Sequence, residues 1–157
     1  MNDIIFVTAF KDINRENWYY FSRSNDTYLN NFLKLAKNID YLLIVYLEPS
    51  MIEKIKDIQF NNNIIFKDMN DVDTFYDKYI DIDTEIINSD EYKSKVPSHR
   101  KNNPEHCQYG YNLITNSKIC FIKHTEKLYP NYKFYSWIDF STFNQNIENI
   151  PKNLNLN

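Results

Sequence analysis

The stretch KFYSWIDFSTF, residues 133–143, places one carboxylate, Asp139, at the end of an apolar and aromatic run. A charge in a low-dielectric interior is costly unless it is paired or bound to a metal. Because side chains alternate along a strand, we expect Ser141 to lie on the same face as Asp139. A carboxylate and a hydroxyl on one face suit a hard divalent cation and its water shell. A cap or turn position after a strand is the other interpretation of Asp139, and the pattern leaves both open.

Few basic residues are placed to approach an anion near this carboxylate. Lys118 lies in a helical segment that leads into the run carrying Asp139, and Arg15 follows the first apolar run. Taken alone, each of these basic residues is more typical of a solvated surface charge. Their positions nevertheless make them candidates for holding a charged ligand.

Several kinds of chemistry are excluded by what the sequence lacks. Gly110 is the only glycine, so a glycine-rich phosphate loop of the Walker or dinucleotide type is impossible. A bound nucleotide would have to be gripped by basic side chains or by a metal. The histidines show no metal-ligand spacing, and no Gly-x-Ser-x-Gly motif or positioned base beside Cys107 indicates acyl transfer.

Length and charge predict an ordinary globular domain. The 157 residues are enough for one domain, which we place at residues 1–143, followed by a polar tail at 144–157. The net charge is −3 with acids and bases interleaved, which argues against a nucleic-acid partner. No apolar run approaches the ~20 residues of a membrane span, and the N-terminus does not resemble a signal peptide. With two unpaired cysteines, we expect a cytoplasmic location.

The elements that must position these residues alternate between apolar runs and helical periodicity. Continuous apolar runs predict strands at 4–9, 41–47, 63–67 and 133–138. Periodic segments between them predict helices, the last of which covers 104–127. This order predicts an α/β fold, a three-layer sandwich with a mostly parallel central sheet. Ligands of such sheets bind beyond the carboxyl ends of strands, where residues 8–10 and Asp139 fall.

Three segments in this order resemble the HtrL/YibB family. They are IIFVTAFKDINRENW at the start, NPEHCQYGYNLITNSKICFIKH before the last strand, and YSWIDFS. Together they span residues 4–141, from the first segment to the last. That family is similar to nucleotide-sugar glycosyltransferases of the GT-A type. The resemblance implies a GT-A-like, Rossmann-like nucleotide-binding half that transfers a sugar from a nucleotide-diphosphate donor to an unidentified acceptor.

The resemblance also implies roles for particular residues. The loop after the first strand would contact the nucleobase and ribose through Thr8, Ala9, Phe10 and Arg15. Lys118 would approach the diphosphate. Asp139, with Ser141 as a weaker ligand, would hold a Mn²⁺ or Mg²⁺ ion that bridges the diphosphate. Such an ion would stabilise the negative charge of the departing diphosphate.

Two departures from the GT-A pattern support an alternative to an active transferase. Residues 139–141 read Asp-Phe-Ser where the usual motif carries two carboxylates. Only 18 residues follow Asp139, whereas GT-A enzymes place their acceptor site in a longer C-terminal half. The alternative is a shortened, catalytically inactive module that binds a nucleotide or a protein partner. A domain that exposes a tyrosine-rich interaction surface is a third interpretation.

The last predicted strand raises the question of self-association. An open sheet edge leaves backbone groups unpaired, which invites pairing with another chain. We therefore expect residues 133–157 either to form a symmetric homodimer or to fold back over the edge. The aromatic residues that would supply much of the dimer contact are Phe134, Tyr135, Trp137, Phe140 and Phe143.

Overall fold

The computed structural model describes residues 3–142 of the chain. Its four strands form one all-parallel sheet in the order β3-β2-β1-β4. Their bounds are Ile4–Phe10 (β1), Leu42–Leu47 (β2), Ile64–Asp68 (β3) and Phe134–Trp137 (β4). Helices flank this sheet, so the predicted α/β sandwich with a Rossmann-like, parallel central sheet is confirmed.

Within residues 3–142, seven α-helices connect and flank the strands. Their bounds are Asn25–Asn38 (α1), Pro49–Ile55 (α2), Phe75–Asn88 (α3), Asp90–Lys95 (α4), Pro104–Cys107 (α5), Tyr111–Asn116 (α6) and Lys118–Leu128 (α7). Helix α1 begins where a polar cap precedes an apolar face, because the hydroxyl of Ser24 accepts a hydrogen bond from the backbone N–H of Thr27. None of the described helices is long and apolar enough to cross a bilayer.

The central strands are buried on both faces by two separate clusters of apolar side chains. On one face, Leu43 and Val45 of β2 pack in the same cluster as Phe32 of α1. On the other face, Ile44 packs in a cluster with Phe121 of α7. Because helices cover both sides, the side chains of β2 have no solvent-facing set, which explains its continuous apolar sequence.

The helix predicted over residues 104–127 is wrong as a single element. The structure divides this segment into α5, α6 and α7, and Gly110 before α6 has a φ of 79°. Its backbone N–H donates a hydrogen bond to Oδ2 of Asp83, at 2.7 Å. A Cβ atom on Gly110 would lie 2.5 Å from Cε2 of Tyr76 in α3. The glycine therefore serves close packing of this segment against α3, which helical periodicity alone does not reveal.

Strand β4 lies at an edge of the sheet. The turn that follows this strand carries Phe140, which is part of the core. Its side chain is only 4% exposed and stacks on Phe32 of α1. The prediction that Phe140 supplies a dimer contact is therefore wrong, because its ring is already buried inside the subunit. Phe143 and the predicted tail at 144–157 lie outside the described residues.

Candidate functional site

The strand order creates a switch point between β1 and β4. The chain proceeds from β1 through β2 to β3 at one edge, and then returns to the other side of β1 for β4. Ligands of open parallel sheets bind outside the carboxyl ends of the strands at such a point. A cavity of about 510 Å³ lies there, lined by the ends of β1 and β4 and by the start of α7. Its volume is that of a small-molecule binding site.

The lining of this cavity is basic and aromatic. The basic side chains are Lys11, Arg15, Arg23 and Lys118, and the acidic ones are Asp12 and Asp139. The aromatic side chains are Phe10, Tyr28, Tyr111, Phe121, Trp137 and Phe140. Because the whole chain carries a net charge of −3, an excess of basic groups at this one place is a local arrangement that favours an anionic ligand.

Two arginines of the cavity have no carboxylate partner within the part of the chain that the structure describes. Arg15 donates from Nε to the backbone carbonyl of Phe21, at 2.9 Å, and from a terminal nitrogen to the hydroxyl of Tyr28, at 2.7 Å. The guanidinium of Arg23 lies 5.2 Å from the centre of the Tyr28 ring. Among residues 3–142, neither guanidinium forms an ion pair with a carboxylate. A guanidinium has five N–H donors, so both arginines keep donors that a ligand could use.

The loop that carries these arginines is held in an unusual backbone conformation. Asn14 and Phe21 have φ angles of 58° and 59°. Asparagine tolerates this left-handed region, whereas for phenylalanine it is strained. The hydrogen bond from Arg15 to the carbonyl of Phe21 helps to hold the strained residue, and the Arg15 guanidinium lies 5.3 Å from the centre of the Trp18 ring. Contacts within the loop therefore fix the position of Arg15, whose side chain lines the cavity.

In the turn after β4, Asp139 faces an ammonium group. Nζ of Lys118 donates to Oδ1 of Asp139 at 2.6 Å, and the same oxygen accepts from Nε1 of Trp137 at 2.7 Å. Burial by itself raises the pKa of Asp139, but the hydrogen bonds from Lys118 and Trp137 and the charge of Lys118 outweigh it and lower this pKa below the usual value. The carboxylate at the end of the apolar run is thus paired and ionised.

Lys118 is placed by the buried residue that precedes it. The hydroxyl of Ser117 donates to the backbone carbonyl of Leu113 at 2.7 Å and accepts from the backbone N–H of Phe75 at 3.0 Å. These two hydrogen bonds join α6 to the start of α3 at the point where α7 begins. Lys118, the first residue of α7, therefore projects from a well-anchored position.

Ser141 does not share a strand face with Asp139. Strand β4 ends at Trp137, and the backbone N–H of Thr142 donates to the carbonyl of Asp139, so these residues form a turn. The alternation of side chains along a strand does not apply here, and that part of the prediction is wrong. The Ser141 hydroxyl accepts a hydrogen bond from Nδ2 of Asn31, at 2.8 Å, which ties the turn to α1.

The structure brings together most of the residues predicted to bind a nucleotide or a metal. Those that line the cavity are Ala9, Phe10, Arg15, Lys118, Asp139 and Ser141. Thr8 does not line it, because its side chain is fully buried in β1, where its hydroxyl has no hydrogen-bond partner among the described residues. The sequence prediction missed Lys11, Asp12, Arg23, Asn25, Tyr28, Tyr111 and Trp137. Most of these lie in the polar segment 11–28 that follows β1, which is the signal that could have found them.

A divalent cation would find few free ligands at Asp139. Among residues 3–142, no three His, Cys, Asp or Glu side chains are grouped so that they could hold a metal. Oδ1 of Asp139 is bonded to Lys118, and the hydroxyl of Ser141 is bonded to Asn31. Mg²⁺ and Mn²⁺ need several oxygen ligands. These residues therefore do not fit a Mn²⁺ or Mg²⁺ ion held by protein groups alone.

Comparison with known proteins identifies the family of the chain. Residues 2–156 match the family model HtrL_YibB, which is described as a bacterial protein of unknown function. No curated protein and no solved structure matches the chain. The three segments singled out in the sequence predicted this family, and the match covers nearly every residue. The chain therefore belongs to the HtrL/YibB family.

Proposed function

We propose that the cavity binds the diphosphate of a nucleotide-sugar donor and that the protein transfers the sugar to a hydroxyl-bearing acceptor. The observation that carries this proposal is that Arg15 and Arg23, which have no carboxylate partner among residues 3–142, line one cavity with Lys118 at the switch point of the sheet. Charge-assisted hydrogen bonds from guanidinium groups suit phosphate oxygens. The rings of Tyr28 and Tyr111 suit stacking with a nucleobase.

In the proposed reaction, the bond between the anomeric carbon of the sugar and the phosphate oxygen breaks. A new bond forms between that carbon and the acceptor oxygen, and the acceptor's proton passes to solvent or to a base. The nucleoside diphosphate leaves with one additional negative charge. Arg15, Arg23 and Lys118 would stabilise this developing charge, which is the main contribution that fixed cationic groups can make to such a step.

A nucleotide-binding protein without turnover is the second candidate, and one observation favours it. Both carboxylates that line the cavity are already engaged. Asp12 accepts hydrogen bonds from the backbone N–H of Asn14 and from Nδ2 of Asn25, at 2.7 Å and 2.6 Å. Asp139 accepts from Lys118. A general base must be within reach of the acceptor proton and able to take it, and neither carboxylate is free to do so in this arrangement.

The binding part of the proposal is tested by titration calorimetry with the diphosphates of uridine, guanosine, cytidine, adenosine and thymidine. We expect at least one to bind, and we expect Arg15→Ala or Arg23→Ala to weaken that binding about ten-fold or more, as loss of a charge-assisted contact does. Arg100→Ala is the matched control, because Arg100 is exposed and does not line the cavity. Failure of all five diphosphates to bind contradicts both candidate functions.

The transfer part is tested by incubating the protein with the nucleotide sugar of the preferred base. Release of the free diphosphate, followed by phosphorus NMR and stimulated by an acceptor, supports the transferase. Tight binding of the donor with no release over many hours supports the module without turnover. The double variant Arg15→Ala with Arg23→Ala serves as the inactive control.

We also propose a cytoplasmic location and self-association at the edge of the sheet. Cys107 and Cys120 are free thiols, which suits a reducing compartment. Phe134 on the edge strand β4 is 48% exposed, and an exposed edge can pair with a second copy. Fractionation of cells and light scattering of the purified protein test the two proposals. Phe134→Asp should convert a dimer of this kind into monomers.

A further inference from the structure

The carboxylate expected to hold a metal instead holds a lysine. The ammonium of Lys118 and the indole N–H of Trp137 both donate to Oδ1 of Asp139, at 2.6 Å and 2.7 Å. The ammonium also lies 5.4 Å from the centre of the Trp137 ring. A divalent cation bound to Asp139 would have to displace this ammonium or share the carboxylate with it, and two positive charges at one carboxylate repel each other.

The Lys118–Asp139 pair is exposed enough to exchange partners. The side chains of Lys118 and Asp139 are 36% and 62% exposed. Ion pairs at that level of exposure contribute little to stability, because water screens them. A phosphate group carries more charge than a carboxylate, so it can compete with Asp139 for the ammonium. The pair therefore holds Lys118 in the cavity without committing it to Asp139.

The remaining positive charge of the cavity also comes from side chains. Arg15 and Arg23 line the cavity and form no ion pair with a carboxylate among the described residues. Arg15 is fixed by its hydrogen bonds to the Phe21 carbonyl and the Tyr28 hydroxyl. Lys11, the fourth basic residue of the lining, is paired with Glu48 and Asp77 at 3.5 Å and 3.8 Å. Lys118, Arg15 and Arg23 are therefore the basic side chains that the cavity offers to a ligand. Their positive charge is opposite in sign to that of a diphosphate, which favours its binding.

We infer that this site holds a diphosphate with Lys118, Arg15 and Arg23 and without a bridging divalent cation, and that Asp139 is an internal counter-ion that positions Lys118. This inference rests on the proposed function for the identity of the ligand. The two roles of Asp139 have opposite consequences. A metal ligand strengthens binding of a diphosphate, whereas a counter-ion competes with the diphosphate for the ammonium and weakens its binding.

Asp139→Asn separates the two roles by the sign of its effect. The asparagine side chain keeps an oxygen that can accept from Trp137, but it removes the negative charge that competes for Lys118. In buffer with EDTA, we expect the variant to bind inorganic pyrophosphate roughly two- to five-fold more tightly than the natural protein, the scale of one exposed ion pair. Lys118→Gln should weaken the same binding by a larger factor.

Matched controls exclude a general effect of net charge. Asp40→Asn changes the net charge equally, but Asp40 is exposed and does not line the cavity. It precedes β2, so it lies near the amino ends of the strands, whereas the cavity lies at their carboxyl ends. Lys123→Gln removes an exposed lysine of α7 that does not line the cavity. Both should leave pyrophosphate binding unchanged. Thermal unfolding of all four variants verifies that each is folded at the temperature of the titration.

Two titrations keep this inference distinguishable from the proposed function. Pyrophosphate tests the inference: binding in EDTA that tightens in Asp139→Asn supports it. Binding that requires Mn²⁺ or Mg²⁺, weaker binding by Asp139→Asn, or no binding in either buffer overturns it. Uridine diphosphate and the other nucleoside diphosphates test the proposed function. Nucleotide binding that depends on Mn²⁺ and on Asp139 would support the proposed function while overturning the inference.

Discussion

The ring of Phe140 stacks on the ring of Phe32, with centroids 4.5 Å apart and an interplanar angle of 2°. Phe140 also stacks on Phe10, at 5.1 Å and 22°. Phe10 ends β1 and Phe32 belongs to α1, so one side chain ties the turn after β4 to two other elements. Asp139 directly precedes Phe140, and the position of its carboxylate therefore depends on this stack.

Replacing Phe140 with alanine should destabilise the protein and loosen the turn that carries Asp139. Truncation of a buried phenylalanine removes apolar contacts and leaves a cavity, which typically costs about 3–5 kcal/mol. Urea denaturation measures this change. Leu128→Ala is the control, because Leu128 is 46% exposed at the end of α7. A loss of stability for Phe140→Ala no larger than that of the control would contradict the structural role of the stack.

Replacing Gly110 with alanine should also reduce stability. A left-handed backbone costs an L-residue roughly 1–2 kcal/mol, and Gly110 has a φ of 79°. The added Cβ would lie 2.5 Å from Cε2 of Tyr76, so α3 would have to shift in addition. We expect a loss of about 2 kcal/mol or more, measured by denaturation. Asn116→Ala, at the exposed end of α6, should change stability far less.

Tyr46 should make stability depend on pH in the alkaline range. Its ring is fully buried, and its hydroxyl lies 3.0 Å from both Nδ1 of His124 and Oγ1 of Thr125. Burial raises the pKa of Tyr46 above its usual value of 10.0. The unfolded chain therefore ionises first as the pH rises, and the stability that the neutral hydroxyl contributes is lost above about pH 10.

Tyr46→Phe tests this dependence. At neutral pH the variant should be less stable by about 1–3 kcal/mol, because His124 and Thr125 each lose a hydrogen-bond partner. The difference from the natural protein should narrow as the pH rises above about 10. Denaturation at several pH values measures it, with Tyr19→Phe as a control, since Tyr19 is 89% exposed. A difference that stays constant up to about pH 11 would show that Tyr46 does not titrate as argued.

Ser117→Ala should weaken the junction that positions Lys118. The variant leaves the backbone N–H of Phe75 without its acceptor, and Ser117 is fully buried. Because this hydrogen bond is partly buried, its loss should cost on the order of 1 kcal/mol, which denaturation can detect. Ser50→Ala, at an exposed position of α2, should leave stability within about 0.5 kcal/mol of the natural protein. Equal effects of the two substitutions would refute the role of Ser117.

The strands could be predicted from the sequence because burial on both faces leaves a local pattern. The continuous apolar runs of β1 and β2 match the two clusters that cover the sheet. The prediction that Lys118 and Asp139 reach one crevice also followed from the rule about strand ends and from the family resemblance. The division of the segment 104–127 did not follow, because the close contact of Gly110 with Tyr76 joins residues that are distant in sequence.

The amino-acid sequence contains the information for the parallel α/β sandwich and for the family. It also indicates that a ligand would bind at the carboxyl ends of the strands. Those features depend on periodicity and on connection rules that act within or between neighbouring elements. The partner of each side chain at these ends of the strands depends on tertiary structure. Asn31 bonds Ser141 across 110 residues of sequence, and Lys118 bonds Asp139 across 21. Such contacts arise only when separate elements pack, so the pairing of Asp139 with an ammonium group could be read from the folded chain and not from the motif.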